Sequence, residues 1–262
     1  MKRALPLLLS STLAMLAVAA SAQTAPAPAV TPPVQPAVAS IPQARALAPF
    51  SARYQVFRDG DPMGDATMQV VKLDGARWRV DLSIRASHGL LRLAGLNLQQ
   101  STLFTVEDTG YKPLAQSTVR HALFSNKKTI GVYDWAEHKA HWQGDVKKTR
   151  RAPVALQDGD MSGLLINLAV LRDARPGASL HYRFVDDGRV REHQYVVAPQ
   201  REPQSVEDIG YDAMRVIRVR AGGDDNQTVL WVVEGVPTPI RILQREGGED
   251  ALDLRLVDYT GA

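Results

Sequence analysis

No cysteine occurs anywhere in the 262 residues. Disulfides, thiolate nucleophiles and cysteine-ligated metal centres are excluded, and in an oxidising compartment the fold has to hold by packing alone. Excess charge of one sign is also missing. The formal net charge of +3 includes Lys2 and Arg3, and without them 29 basic side chains face 28 acidic ones. Attraction of the whole molecule to nucleic acid or to an anionic membrane is therefore not indicated. The chain has no Gly-x-Ser-x-Gly, no His-Glu-x-x-His and no glycine-rich phosphate loop, which lowers the case for an enzyme. Gly222-Gly223-Asp224-Asp225-Asn226 lacks the acidic spacing and terminal Glu of a calcium loop and reads as a hairpin turn.

The N-terminus has what a secretory leader needs. Lys2 and Arg3 precede a Leu/Ala-rich run to Ala20, and Ala20-Ser21-Ala22 forms a small-x-small cleavage site ahead of Gln23. The expectation is a signal peptide over 1–22 and export to the periplasm. No cysteine is present to take a lipid, so a lipoprotein is not expected, nor is a transmembrane segment after cleavage. Residues 23–49 hold seven prolines and eight alanines with almost no charge. That composition cannot bury enough apolar surface to offset its ordering entropy, so it reads as a tether. One β-rich domain is expected over 50–262.

From Phe50 the dominant period is two. Phe50, Ala52, Tyr54 and Val56 alternate with Ser51, Arg53 and Gln55. Trp78, Val80, Leu82, Ile84 and Ala86 alternate with Arg77, Arg79, Asp81, Ser83 and Arg85, which predicts a strand with one dry and one wet face. Further strands are expected near 113–121, 128–135, 139–151, 179–186, 189–198, 202–208, 212–221, 227–233, 238–245 and 250–259. The one clear helical stretch follows Asp158. Met161, Leu164, Leu165, Ile166, Leu168, Ala169, Val170 and Leu171 leave almost no polar face, Asp160 or Ser162 can cap the start, and Pro176-Gly177 stops it. The predicted fold is mainly β: a large curved antiparallel sheet, a half-barrel or flattened barrel, wrapped around one central buried helix near 160–172.

Charge is unevenly distributed. From Arg120 to Arg151 eight basic side chains face three acidic ones, and from Glu202 onward six arginines face twelve acids. Solvated faces account for most such asymmetry. The sharper reading is a basic rim of Lys127, Lys128, Lys147, Lys148, Arg150 and Arg151 that meets anionic groups. Trp78, Leu91, Leu93, Leu96, Gln100, Phe104, Leu165 and Leu168 are the candidates for lining a cavity, because Gln100 and Thr102 place polar groups among apolar ones on one strand face. His138 and His141 with Asp134 and Glu137 form a minority metal reading, well behind exposed turn histidines. No cofactor and no metal site is expected.

Several stretches together resemble a known family. They are Ala52-Arg53-Tyr54-Gln55-Val56 followed by Gly60 and Gly64, Asn126-Lys127-Lys128 followed by Tyr133-Asp134-Trp135, the Asp160 to Leu171 helix, Gly188-Arg189-Val190-Arg191-Glu192, and Leu230-Trp231-Val232 leading to Pro239-Ile240-Arg241-Ile242. The chain resembles the bacterial exported family catalogued as domain of unknown function 3108, from Phe50 to Tyr259. The resemblance implies export and a mostly antiparallel β fold, and supplies no catalytic residues. The architecture is also similar, more loosely, to the periplasmic lipoprotein-carrier and lipoprotein-receptor folds. Three functions stay open. The first is non-catalytic binding of an apolar or amphiphilic cell-envelope molecule, such as a lipid. The second is a structural adaptor docking another envelope protein, and the third a hydrolase of envelope polymers. Nucleic acid is not expected as a partner.

Overall fold

The structure is a computed structural model, which describes residues 46–87, 97–122, 125–220 and 226–261. All of these fall in one unit, Gln43–Ala262. The expected signal peptide and nearly all of the expected tether, Leu91, Leu93 and Leu96, and most of the stretch read as a Gly222 to Asn226 turn lie outside the described residues.

Among the described residues fifteen strands build a single sheet. The first eight are β1 (Phe50–Arg58), β2 (Asp61–Lys72), β3 (Arg77–Ala86), β4 (Asn97–Glu107), β5 (Gly110–Ala122), β6 (Ser125–Asp134), β7 (Lys139–Gly144) and β8 (Val154–Ala155). The others are β9 (Asp160–Met161), β10 (Ser179–Asp186), β11 (Arg189–Val206), β12 (Ile209–Val219), β13 (Thr228–Val232), β14 (Arg241–Glu246) and β15 (Glu249–Gly261). Their spatial order runs from β8 down to β1, then from β15 down to β9. Each strand therefore pairs with its sequence neighbour, and the one distant pairing joins β1 to β15, Phe50 opposite Gly261. All pairings are antiparallel except the two-residue β9 beside β10.

The two edges of this sheet, β8 and β9, are separated in sequence by only residues 156–159. The sheet must therefore curl until its ends meet, and it meets through side chains. Tyr133 Oη on β6 donates to the Val185 carbonyl on β10 at 2.7 Å. Gln116 on β5 donates to the Asp186 carboxylate on β10, and Arg183 Nη2 on β10 reaches the Ala155 carbonyl on β8 at 3.5 Å. A second, smaller apolar cluster of Tyr133, Ala140, Trp142, Val146, Leu156 and Val185 packs along this seam. Closure of this kind leaves no long exposed edge for another chain to pair with.

The main core fills the concave side. Helix α1 (Gly163–Asp173) lies within it, with Leu165, Ala169 and Val170 fully buried. Ser162 is the N-cap, its Oγ accepting from the Leu165 N–H and bonding to Thr102 Oγ1 at 2.9 Å. Asp160, the other capping candidate, is taken up by Arg183 and by the Gln157 N–H at 2.8 Å. The helix ends at Asp173, three residues ahead of Pro176, whose clash with a preceding helical turn forbids continuation.

Two strand expectations need correction. The strand foreseen over 139–151 stops at Gly144, where φ is +88° and a Cβ would sit 2.1 Å from the Lys128 carbonyl, and a 3-10 turn over Lys148–Arg150 follows. The strands foreseen at 189–198 and 202–208 are one strand, β11, whose pairing with β12 shifts register between Val197 and Arg201. A bulge absorbs the extra residues without ending the strand.

Candidate functional site: a basic cleft at the seam

Register decides which side chains share the concave face. Across β5 and β6, Thr118 opposes Thr129 and Arg120 opposes Lys127. Across β10 and β11, Asp186 opposes Arg189 and Phe184 opposes Arg191. Along β11 the same face continues through His193, Tyr195 and Val197, all buried, so the strand grades from apolar core to cationic tip. The seam sets these two strand pairs against each other, and between them opens a cleft of about 510 Å³.

Two local devices fix its walls. The β10–β11 turn places Asp187 at φ +50° and Gly188 at φ +66°, the left-handed pair that a two-residue hairpin of this hand requires. Gly188 packs so closely on the 3-10 turn that a Cβ there would lie 2.0 Å from the Arg150 carbonyl. On the other side Val146 is buried in the seam cluster, which anchors the segment carrying Lys147 and Arg150. Asp145 is tied to β6, its Oδ2 accepting from the Lys128 N–H at 2.7 Å.

The lining is strongly cationic. Arg120, Lys127, Lys147, Arg150, Arg189 and Arg191 face the carboxylates Asp145, Asp186 and Asp187, with Thr118 and Thr129 between them. The acids are already engaged. Asp187 pairs with Arg150 and lies 3.8 Å from Arg189, Asp186 accepts from Gln116, and Asp145 is bonded to backbone. Among the described residues Arg120, Lys127, Lys147 and Arg191 have no carboxylate within ion-pair distance.

Titration follows from this crowding. Burial, then repulsion from Arg191 and Arg150, pulls the Arg189 guanidinium below its ordinary value, and its buried Nε–H has no acceptor among the described residues. Burial pushes the Asp186 carboxyl up, against the opposing hydrogen bond from Gln116. Deeper on the same face, burial followed by the charges of Arg218, Arg191 and Arg220 pulls His193 down to about 3. Its Nε2 lies 2.5 Å from Arg218 Nη2, and Phe184 stacks on its ring at 4.5 Å.

The expected site residues separate into groups. Lys127, Lys147 and Arg150 come together in the cleft. Lys128, Lys148 and Arg151 do not line it: Lys128 alternates onto the opposite face of β6, and Lys148 and Arg151 are exposed on and after the 3-10 turn. Trp78, Phe104, Leu165 and Leu168 belong to the main apolar core, with Phe104 edge-on to Tyr111 at 5.6 Å. Gln100 is half-buried opposite Thr118, next to the cleft wall. His138 occupies a left-handed turn position and His141 lies on β7, and among the described residues no group of three His, Cys, Asp or Glu could hold a metal. Arg120, Arg189 and Arg191 were not singled out by sequence reasoning. The alternation of Arg189 with Arg191 was a usable signal, but nothing local says that this hairpin faces the basic segment.

The family model described as "Protein of unknown function (DUF3108)" matches residues 50–251. The chain belongs to that family. Among solved structures, the family member's fold is similar to that of a beta-barrel-like protein of domain of unknown function DUF1849 from Brucella abortus. The two superpose with a TM-score of 0.53 and 12% identity, covering 83% of this chain and 99% of that one. At that identity the likeness is one of fold. No curated protein matches this DUF3108 chain. Among the described residues no helix is long and apolar enough to cross a membrane.

Proposed function

We propose that this DUF3108 protein is an exported, non-catalytic binding module of the cell envelope that holds an amphiphilic molecule by its anionic headgroup. The observation that carries the reading is the cleft of about 510 Å³ with six cationic side chains against three carboxylates that the protein itself already uses. Uncompensated like charges persist beside one another when solvated, and their energy falls when an anion enters. The amphiphilic part of the proposal rests on what adjoins the cations. Arg120 sits opposite Leu98, and Gln100 opposite Leu82, both leucines half-buried against the main core. The leader-like sequence over 1–22 supports export.

Two neighbouring lysines make a sharp test, because only Lys147 lines the cleft while Lys148 is exposed on the 3-10 turn. Sedimentation with phosphatidylglycerol vesicles at low salt should show Lys147→Glu weakening binding about tenfold, the effect of ~1.4 kcal/mol from reversing a charge near a bound anion. Lys148→Glu should stay within about twofold of the parent, in line with the small worth of exposed charges. Equal loss from both variants would mean diffuse surface attraction in place of a site. Retention by neutral phosphatidylcholine vesicles would remove the headgroup from the argument.

A further inference from the structure

The cleft carries three positive charges in excess of its carboxylates, and that number bears on what it can select. A headgroup phosphodiester brings one negative charge and two unesterified oxygens. A phosphomonoester brings close to two charges above its second ionisation near pH ~6, and three free oxygens. Four of the six lining cations are guanidinia, and three of these come from two adjacent elements, Arg150 on the 3-10 turn and Arg189 and Arg191 two residues apart on β11. A guanidinium binds phosphate oxygens through paired N–H donors, so three guanidinia around one group match three oxygens better than two. Acceptors are in short supply, as the unpartnered Nε–H of Arg189 shows among the described residues.

Resting on the anionic-headgroup reading, we infer that the cleft formed by Arg150, Arg189 and Arg191 with Arg120, Lys127 and Lys147 is a phosphomonoester site that discriminates against phosphodiesters.

Calorimetric titration of the mature chain, at concentrations below micelle formation, tests this with three probes. Dihexanoyl phosphatidic acid is the monoester amphiphile, dihexanoyl phosphatidylglycerol the diester, and glycerol 3-phosphate the monoester without acyl chains. At pH 7.5 phosphatidic acid should bind about tenfold or more tightly than phosphatidylglycerol. At pH 5 the advantage should shrink to about twofold, because the monoester has taken up its second proton. Protonation of Asp186, whose carboxyl burial pushes up, makes the cleft more positive and favours the more highly charged lipid, so it works against the expected loss of preference and cannot mimic it. Arg191→Gln, which breaks no ion pair among the described residues, should bring the two lipids to similar affinity with an unchanged thermal midpoint. Binding of glycerol 3-phosphate as tight as that of phosphatidic acid would assign the site to a soluble phosphate ester and remove the acyl chains from the reading. Equal affinity for the two lipids at pH 7.5 overturns the monoester selectivity and leaves the anionic-headgroup reading standing. No binding of any of the three probes overturns both.

Discussion

His193 shows how one buried residue joins the fold to the site. It is 6% exposed, stacked on Phe184, flanked by Tyr195 and faced by Arg218, Arg191 and Arg220, so the folded protein holds it neutral, with its pKa down at about 3. An unfolded chain protonates the same ring near pH ~6.5. Between those values the unfolded state binds the extra proton, so stability falls as pH falls. The contribution is complete above ~6.5 and is lost progressively toward pH ~3. In urea unfolding, His193→Gln should lose up to about 2 kcal/mol less than the parent between pH 7.5 and pH 5. Parallel curves for the two proteins would show that His193 is not held neutral. Sequence gave little access to this residue. His193 lies among Arg191, Glu192 and Gln194, an exposed-looking context, and it is buried because Tyr182 opposes it across the ladder and Phe184 covers its ring. Lys127 and Lys147 were legible as cations but not as neighbours, since what joins them is the path of the sheet.

Secondary elements were the most readable level, because strand period and helix burial are written locally. The alternation from Trp78 to Ala86 became β3 with Trp78, Val80 and Ile84 buried, and the all-apolar stretch after Ser162 became α1. Element ends were less readable where a backbone contact set them, as at Gly144 against Lys128. The helix allows a direct prediction. Leu168 is 2% exposed in the main cluster, so Leu168→Ala should cost about 2–5 kcal/mol in urea unfolding, the transfer loss plus an unfilled cavity. Added phosphatidic acid should leave that difference unchanged, because the cleft is lined by side chains of strands, connecting turns and the 3-10 turn and by no residue of α1. A small loss together with weakened lipid stabilisation would instead make the helix a lid over a ligand cavity, and would move the apolar part of the site inward.

At the scale of the whole molecule, the fold is a meander whose two ends are tied by different means. At the β1–β15 junction eight residue pairs form a ladder with one register shift between Arg53 and Tyr54, and Arg53 on β1 pairs with Asp258 on β15. The seam near β8 and β9 has no such ladder among the described residues; it relies on the small Tyr133–Trp142–Val185 cluster and a few side-chain bonds. Few buried apolar contacts and short edge strands are the marks of a unit that opens below the free energy of global unfolding. Residues 125–155 should therefore exchange amide protons through a sub-global opening, while β1 to β3 exchange only on full unfolding. Tyr133→Phe removes the bond to the Val185 carbonyl and leaves a buried acceptor, at a cost of about 1–2 kcal/mol that falls on the seam. Hydrogen exchange followed by mass spectrometry should show roughly tenfold faster exchange over 125–155 and little change over 50–72. The cleft lies across that seam, so a bound headgroup that bridges Lys127 and Lys147 to Arg189 and Arg191 should slow exchange in 125–155. Uniform acceleration along the whole chain would mean the seam and the β1–β15 junction open together, and the fold would then behave as one cooperative barrel.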